Sequence, residues 1–268
     1  MYKSERMGRD EKHSIASLLA SRNASLKGES GNTIRATQRA QLTHLIREDY
    51  PAFEPVRDML LKRNGKIDIS QGFGEHGQLI IERLINHGMV EKADETHIDS
   101  HITSHPEAKR YLGGGWLEEL AWLAAMEAGA DEAVFSQNLQ WSAKGYHGQN
   151  EVDLILRKGD RLGFTSCKAV NSEFNPDSKK HRSRLMDALH EADNLVDHFG
   201  GDGDRVAVLV TADLIDEVRN KPRYIALMGK AAVLDVRIIP LEELGWDALV
   251  KALGELIDDD PETPPRLY

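Results

Sequence analysis

The sequence has a single cysteine, no long apolar run and no excess of basic residues. With only Cys167 available, an internal disulfide framework is excluded, and a reducing cytoplasm is favoured. No apolar segment approaches the roughly 20 residues that a membrane-spanning helix requires. The first residues also lack the pattern of a signal peptide. These absences predict a cytoplasmic protein that does not enter a membrane.

Length and charge further limit the classes of protein to which this chain could belong. The chain has 268 residues, of which 40% are hydrophobic and 29% charged, as is typical of soluble globular proteins. The net charge of −10 argues against broad electrostatic coating of nucleic acid. A nucleic-acid-binding protein of this composition must concentrate its positive charge locally. The one dense basic segment contains Lys179, Lys180, Arg182 and Arg184. It predicts either a nucleic-acid-binding surface or the solvated start of a helix.

Composition divides the chain into four segments. Residues 1–32 are rich in Ser, Gly, Arg and Lys and predict a flexible tail. Residues 33–106 predict a helical module that resembles a winged helix, and residues 107–257 predict a larger α/β domain. Residues 258–268 are acidic and proline-rich and predict a solvated tail.

Apolar spacing in the helical module predicts two helices between residues 33 and 61, broken at Pro51. A further helix is predicted from Gln78 to His87, and strands near residues 89–90 and 97–102 form a small wing. Such modules bind DNA or serve as linkers and dimerisation elements. Because the helix from Gln78 carries only Arg83 as a basic residue, the structural role is favoured.

The larger domain predicts a mixed sheet covered by helices. The expected order from Trp116 is α-β-β-β-α-β-α-β-α, in which antiparallel strands are followed by crossover helices. A strongly amphipathic helix is predicted from Leu185 to Phe199, and the apolar run 206–210 predicts a buried strand. A helix is predicted over residues 213–230.

Residues 151–168 predict two strands joined by a turn. Asp153 lies near the start of the first strand, and Ser166 and Lys168 end the returning one. Because alternate side chains of a strand share a face, Ser166 and Lys168 point the same way. A hairpin brings Asp153 back beside them. We therefore predict that an acid, a small polar residue and a lysine converge where a metal and a water bind.

Three other patterns are given structural interpretations. Residues 72–77 match the dinucleotide fingerprint G-x-G-x-x-G, but no parallel strand–helix–strand unit surrounds them, so an interhelical loop is favoured. The histidines between residues 76 and 105 lack paired metal-binding spacing. Cys167 lies in an apolar strand, which favours a buried thiol over a nucleophile.

The hairpin resembles the motif of the PD-(D/E)XK nucleases, with Ser166 where that pattern has Asp or Glu. The flanking segments 114–118, 150–153 and 200–201 resemble the nuclease domain of CRISPR ancillary nucleases, in which a cyclic-oligonucleotide sensor (CARF) domain is joined to a PD-(D/E)XK domain. The resemblance spans about residues 105–253.

This resemblance implies a restriction-endonuclease-like fold, cleavage of DNA or RNA in antiviral defence, and a homodimer switched on by cyclic oligoadenylate. Activation by a cyclic nucleotide is not carried over, because no pattern of a doubly wound sensor domain precedes residue 105. The sensor lies on another chain, or the protein is a free-standing nuclease or a shortened relative.

Phosphodiester hydrolysis requires an activated water and a stabilised, highly charged transition state, and hard divalent cations held by carboxylates supply both. We expect Mn2+ or Mg2+ to be bound by Asp153, Glu118 and the backbone carbonyl of Cys167, with Lys168 orienting the water. Ser166 removes one charge, for which Glu118, Glu119 or Glu151 compensates. The alternative is a catalytically degenerate protein on the same fold that binds nucleic acid or regulates a partner. A nucleotide-dependent oxidoreductase is a distant third.

Overall fold

The computed structural model describes residues 14–258, apart from 64, 71, 144, 145 and 217. No helix within the described residues is both long and apolar enough to cross a membrane. The first elements in chain order are α1 (Ile15–Ser21), β1 (Ala24–Lys27), α2 (Thr33–Gln38), α3 (Ala40–Glu48), α4 (Tyr50–Lys62), β2 (Gly65–Asp68), α5 (Glu75–Asn86), β3 (Glu91–Lys92), β4 (His97–Ser100) and α6 (Pro106–Arg110).

The second half of the chain carries most of the main sheet. A π-helical turn, Tyr111–Gly115, joins α6 to the next helix. The remaining elements are α7 (Trp116–Glu127), β5 (Glu132–Ala143), β6 (Tyr146–Lys158), β7 (Arg161–Lys168), α8 (Lys179–Phe199), β8 (Arg205–Val210), β9 (Ile215–Asp216), β10 (Lys221–Pro222), α9 (Ile225–Leu234), β11 (Val236–Ile239) and α10 (Trp246–Gly254).

The central sheet has six strands in the order β1-β5-β6-β7-β8-β11. Strands β1, β5, β6 and β7 pair antiparallel, whereas β7, β8 and β11 pair parallel. Each parallel step is made by a crossover that contains a helix, α8 between β7 and β8 and α9 between β8 and β11. The predicted mixed sheet flanked by helices is therefore confirmed.

Two hydrophobic clusters cover the two faces of this sheet. The first packs α2–α7 and α10 against one face, and it contains Leu154, Leu156 and Leu209. The second packs α1, α8 and α9 against the other face, and it contains Ile155 and Val208. Neighbouring residues of a strand thus enter opposite clusters, as the two-residue period of a strand requires. The first cluster crosses the predicted boundary between residues 106 and 107, which stays a prediction.

The prediction of a flexible tail over residues 1–32 is wrong for the part that the structure describes. Ser14 caps α1 through a capping box, and Ile15 and Leu19 are buried in the second cluster. Strand β1 pairs with β5 and forms one edge of the central sheet. Too few apolar residues are present for this segment to fold alone, but pairing to a preformed strand orders it. Residues 1–13, and 259–268 of the predicted C-terminal tail, lie outside the described residues.

Two helix predictions also need correction. Residues 33–62 form three helices, and Pro51 lies in the first turn of α4, where its missing N–H removes no helical hydrogen bond. The breaks fall at Arg39 and Asp49. The helix predicted over residues 213–230 begins only at Ile225. A short hairpin, β9–β10, precedes it and ends at Pro222, which cannot donate a helical hydrogen bond.

The small wing forms as a three-stranded sheet in the order β2-β4-β3. Strand β2, which precedes the glycine-rich residues 72–77, pairs antiparallel with β4. A dinucleotide fingerprint requires a parallel strand–helix–strand unit, which this pairing does not provide. The structural interpretation of residues 72–77 as a loop and helix start therefore agrees with the fold.

Candidate active site

Asp153 lies in the interior of β6, beside the C-terminal end of β7. The register pairs Leu154 with Thr165, which brings the next residues, Asp153 and Ser166, side by side. The Asp153 carboxylate accepts a hydrogen bond from the backbone N–H of Cys167 at 2.7 Å, and the Ser166 hydroxyl donates to the same oxygen, Oδ2, at 3.4 Å. The predicted hairpin thus forms, and it brings the acid to the Ser166–Lys168 end of β7.

The electrostatic surroundings of Asp153 are unusual for a carboxylate. Burial, reinforced by the negative charges of Glu118 and Glu151, raises the pKa of Asp153 to about 6, although the Cys167 N–H and the Lys168 ammonium oppose the shift. Three carboxylates therefore act on one another at one end of the hairpin. A cation bound beside these acids would offset their repulsion, as the Lys168 ammonium does in part.

Glu118, in the first turn of α7, reaches the sheet through Ser136. The pairs Phe135–Leu154 and Gln137–Val152 place Ser136 opposite Asp153 on the neighbouring strand β5. The Ser136 hydroxyl donates a short hydrogen bond to Glu118 Oε2. The Ser136 backbone has a φ of 49°, a left-handed conformation that is uncommon in a strand. This local distortion lies at the point where Glu118 approaches the hairpin.

Arg110 completes this side of the site. Its guanidinium lies 3.3 Å from Glu118 Oε2 and donates a short hydrogen bond to the Ser136 hydroxyl. The Arg110 side chain is partly exposed, whereas the Glu118 side chain is largely buried. A solvent-accessible cation therefore stands beside the second carboxylate of the site.

Lys168 ends β7 and forms an ion pair with Glu191 of α8, with Nζ 2.8 Å from Oε2. Burial alone would lower the pKa of Lys168, but the hydrogen bond that its ammonium donates to Glu191 and the charge of Asp153 outweigh burial and raise that pKa. Lys168 is therefore fully protonated at neutral pH. Its charge in turn lowers the pKa of Asp153, so the two groups are electrostatically coupled.

The site is built from both faces of the sheet. Leu162 and Phe164 enter the second cluster, so alternation assigns Ser166 and Lys168 to the face covered by α8. Cys167 packs against the first cluster, on the face covered by α7, which carries Glu118. Asp153 is the group on which the charges of both Glu118 and Lys168 act.

The Cys167 thiol is a poor nucleophile in this environment. Burial, with the negative charges of Asp153 and Glu118, raises the pKa of the thiol well above its usual value. The thiol therefore stays protonated at neutral pH, and only the thiolate is an effective nucleophile or metal ligand. The functional part of this residue is its backbone, which donates to Asp153.

The oxygen donors around Asp153 suit a hard divalent cation, but few of them are side chains. Within the described residues no group of three or more His, Cys, Asp or Glu side chains is arranged to hold a metal. Asp153 and Glu118 are two carboxylates that interact electrostatically here, and Ser166 adds a neutral hydroxyl. Carboxylate, hydroxyl and carbonyl oxygens are the ligands that Mg2+ and Mn2+ accept, with water filling the remaining positions.

The basic segment begins α8. Ser178 caps this helix by accepting a hydrogen bond from the His181 N–H. The side chains of Lys179, Lys180 and Arg184 are exposed, whereas Arg182 is half-buried and donates to the Pro176 carbonyl. At 1.5 Å per residue, Arg184 lies about 10 Å along the helix from Glu191, on nearly the same face. The exposed Lys180 and Arg184 at the start of α8 therefore lie on nearly the same side of the helix as Glu191, the partner of Lys168.

A separate cavity lies away from this hairpin. It is a polar cleft of about 470 Å³ between α2, the loop after α5, and α6. Its arginines are already paired: Arg39 binds the buried Glu119 through two hydrogen bonds and Glu107 at 2.9 Å. Glu119 is therefore engaged in the core and does not supply the missing charge at the hairpin.

Three residues of the site, Arg110, Ser136 and Glu191, had no signal in the sequence. Each reaches the hairpin from another element: α6, β5 and α8 respectively. Their spacings from Asp153 and Lys168 match no motif, so only the packing of helices on the sheet reveals them.

Comparisons with known proteins support the fold. No family model matches the sequence, and no curated protein matches it. Among solved structures, protein VC1899 from Vibrio cholerae matches with a TM-score of 0.64 at 16% identity. Can2 from Sulfobacillus thermosulfidooxidans, solved in complex with cyclic tetra-adenylate, matches with a TM-score of 0.59 at 12% identity. Each match covers 90% of this chain but only 61% of the other protein. The similarity therefore shows a related fold.

Proposed function

We propose that this protein is a metal-dependent nuclease that hydrolyses phosphodiester bonds of DNA, RNA or both. The observation that carries the proposal is the environment of Asp153. Its carboxylate accepts a hydrogen bond from the Cys167 N–H at 2.7 Å. It also interacts electrostatically with Glu118, Glu151 and Lys168. A buried acid with a raised pKa, next to other carboxylates and a lysine, is typical of a catalytic site rather than of a structural ion pair.

The cation would be Mn2+ or Mg2+, held by Asp153, by Glu118 and by the backbone carbonyl of Cys167. When bound, such a cation polarises the phosphate and lowers the pKa of a coordinated water. Ser166 is expected to contact it through a neutral hydroxyl, at the cost of one negative charge. Glu151, whose charge already acts on Asp153, is the acid best situated to compensate. Glu119 is not, because Arg39 engages both of its oxygens.

Lys168 is the proposed water-handling group. A protonated ammonium beside Asp153 donates hydrogen bonds to the attacking water and holds its lone pair towards the phosphorus. Glu191 fixes the ammonium at 2.8 Å. Arg110, which is partly exposed beside Glu118, offers a guanidinium to a phosphate oxygen.

Nucleic acid would approach along α8. Lys179, Lys180, Arg182 and Arg184 supply positive charge to a chain that is acidic overall. Of these, Lys180 and Arg184 lie on nearly the same helix face as Glu191, the partner of Lys168. This alignment favours the nucleic-acid interpretation of the segment over that of a merely solvated helix start.

The likeness in fold to Can2 supports a role in CRISPR-related antiviral defence. Can2 was solved with cyclic tetra-adenylate, the class of activator that the sequence resemblance implies for its family. For this chain, which spans 61% of that protein, we propose no activator of its own. A homodimer, in which two sites face a common groove, is proposed as its assembly.

A second candidate is a catalytically degenerate protein that binds nucleic acid or regulates a partner. It is favoured by two features of the site: Ser166 is neutral, and Lys168 is already paired with Glu191. The first feature weakens a metal site and the second engages the proposed water-handling group, but neither removes the acid or the lysine on which cleavage depends.

The deciding experiment measures cleavage of plasmid DNA and of single-stranded DNA and RNA oligonucleotides with Mn2+, Mg2+ or EDTA. Cleavage that needs the metal and falls at least about 100-fold in Lys168→Ala supports the nuclease. Metal-dependent thermal stabilisation should persist in Lys168→Ala, because the lysine is not a metal ligand. Absence of cleavage on every substrate, with nucleic-acid binding retained, would favour the degenerate protein. Cleavage unchanged in Lys168→Ala would overturn the site.

A further inference from the structure

Helix α9 presents an apolar face to solvent. Ile225 and Val233 are 74% and 78% exposed, although they belong to the most hydrophobic class of side chain. The opposite face of the helix is buried in the second cluster through Leu227 and Ala231. Helix α9 is therefore apolar on both sides, whereas a helix at the surface of a monomer normally carries polar residues on its outer side.

The exposed apolar residues form one continuous stripe. Its members recur at the spacing i, i+1, i+4, i+7 and i+8, which is one face of a helix. They are Ile225, Ala226, Gly229, Ala232 and Val233, and all are exposed. The residues at the centre of the stripe have small side chains, and those at its ends, Ile225 and Val233, have large ones. The stripe therefore forms a shallow groove between two apolar side chains.

Gly229 has no explanation within its own chain. Its φ is not among the positive values, and a Cβ built on it meets nothing within 4 Å. A glycine in the interior of a helix destabilises that helix relative to alanine. The absence of a side chain therefore serves neither the backbone nor the packing of the monomer. Glycine on a helix surface does allow the backbone of a second helix to approach closely.

The stripe is symmetric about Gly229. Ile225 and Val233 lie four residues to either side of it, and Ala226 and Ala232 lie three. A two-fold axis through Gly229 would bring an antiparallel copy of α9 across the groove. Each Ile225 would then meet the Val233 of the other chain, which is the self-complementary contact that a two-fold interface requires.

The charges at the two ends of α9 have the same symmetry. Arg223 precedes the helix and its side chain is 42% exposed, although it also pairs with Asp213 at 3.3 Å. Asp235, which is exposed, caps the C-terminus. In an antiparallel pair the N-terminal end of one helix lies beside the C-terminal end of the other. Opposite charges would therefore meet at both ends of the interface.

From these features we infer that α9 is the contact surface of a homodimer, paired antiparallel with its own copy about Gly229. The inference deepens the homodimer included in the proposed function by naming its surface, and it does not depend on cleavage. The occupant is a second copy of this chain because the stripe is complementary to itself in shape and in charge.

The test replaces Gly229 by glutamine in the full chain. Because a side chain at position 229 has open space, Gly229→Gln should fold. At a protein concentration low enough for both proteins to be monomeric, its Tm should equal or exceed that of the wild type. The same substitution should raise the dimer dissociation constant at least about tenfold by analytical ultracentrifugation. A wild-type monomer at micromolar concentration would overturn the inference, as would Gly229→Gln with unchanged dimerisation.

Cross-linking adds a second measurement with a matched control. In Gly229→Cys the two introduced thiols would meet at the two-fold axis and form an intermolecular disulfide on mild oxidation. The control Ile34→Cys changes a residue of α2 that is similarly exposed, at 70%, and retains the same native Cys167. A covalent dimer formed by Gly229→Cys and not by Ile34→Cys supports the α9 contact, whereas equal cross-linking overturns it. Both measurements are independent of nuclease activity, so a failure of the proposed function would be seen separately.

Discussion

The ammonium of Lys168 lies 2.8 Å from the Glu191 carboxylate, so the end of β7 is tied to the middle of α8. Glu191 itself is largely exposed, whereas Lys168 is half-buried. The pair therefore holds a half-buried cation, whose charge acts on Asp153, by means of a carboxylate that is open to solvent. Glu191 is a positioning residue in the proposed site, since it acts through Lys168.

Glu191→Gln should lower the pKa of Lys168, because the charge and hydrogen bond that raise it are weakened. If protonated Lys168 handles the water, the alkaline loss of activity should then shift to lower pH. The measurement is the pH profile of kcat for both proteins. Asp187→Asn removes a carboxylate one helical turn earlier and should leave the profile unchanged. A Glu191→Gln profile that coincides with the wild type would exclude the positioning role.

Asp153 should destabilise the metal-free protein at neutral pH. Its pKa rises from 3.8 in the unfolded chain to about 6 in the fold, so the folded state binds more protons between these values. Stability is therefore lost as pH rises through this window, and the penalty is complete above it. Asp153→Asn in EDTA should raise the unfolding free energy at about pH 8 by on the order of 3 kcal/mol, with no gain below about pH 4.

The control for Asp153→Asn is Asp202→Asn, which changes an exposed loop carboxylate. It should give the same stability as the wild type across the pH range. Added Mn2+ should stabilise the wild type more than Asp153→Asn, because a cation offsets the charge that burial penalises. A stability difference that does not change with pH would mean that the substitution acts through packing and not through ionisation.

The sheet and its order could be predicted because their signals are local. The continuous apolar run 206–210 indicates a buried strand, α8 has a clear period of 3.6 residues, and the turn at Gly159 marks the hairpin. The folding of the segment that contains α1 and β1 could not be predicted from its own residues. This short segment gains its stability from the pairing of β1 with the long strand β5. The hairpin β9–β10 could not be predicted for a different reason. The apolar spacing between Asp213 and Ile225 continues the helical spacing of α9.

The candidate site was predictable only as far as the hairpin extends. Asp153, Ser166 and Lys168 are joined by strand register, which sequence determines directly. Arg110, Ser136 and Glu191 are brought in by tertiary packing. Ser136 has a left-handed φ, and no glycine or asparagine at that position signals it in the sequence.

The basic surface of α8 can be tested separately from catalysis. Lys180→Gln/Arg184→Gln should weaken nucleic-acid binding by Lys168→Ala protein, which binds without cutting. If each residue contacts one phosphate, the slope of log affinity against log salt should fall by about two. Arg63→Gln/Lys92→Gln removes the same charge from exposed positions outside α8 and should change neither quantity. Equal losses in the two double variants would reflect net charge alone.

Ser166 is where this chain departs from the nuclease motif, and Ser166→Glu restores the missing acid. The side chain is buried, and its hydroxyl lies 3.4 Å from Asp153 Oδ2, so a second carboxylate there faces the first. Two carboxylates at this distance repel each other unless a cation lies between them. Without metal, Ser166→Glu should therefore lower Tm by several degrees relative to the wild type, since roughly 1–2 kcal/mol corresponds to such a shift in a domain of this size.

When Mn2+ is bound, the effect of Ser166→Glu on Tm should change from destabilising to stabilising. The added charge should lower the Mn2+ concentration that gives half-maximal stabilisation by about tenfold for each 1.4 kcal/mol of binding free energy gained. The Mn2+ concentration that gives half-maximal cleavage should fall by the same factor. The wild-type site should prefer Mn2+ over Mg2+, because Mg2+ demands a more regular oxygen shell, and Ser166→Glu should narrow this preference. Ser166→Gln has nearly the same shape without the charge and should reproduce neither effect. If the two variants respond to metal alike, position 166 contributes bulk and not charge, and the cation does not lie between Asp153 and Ser166.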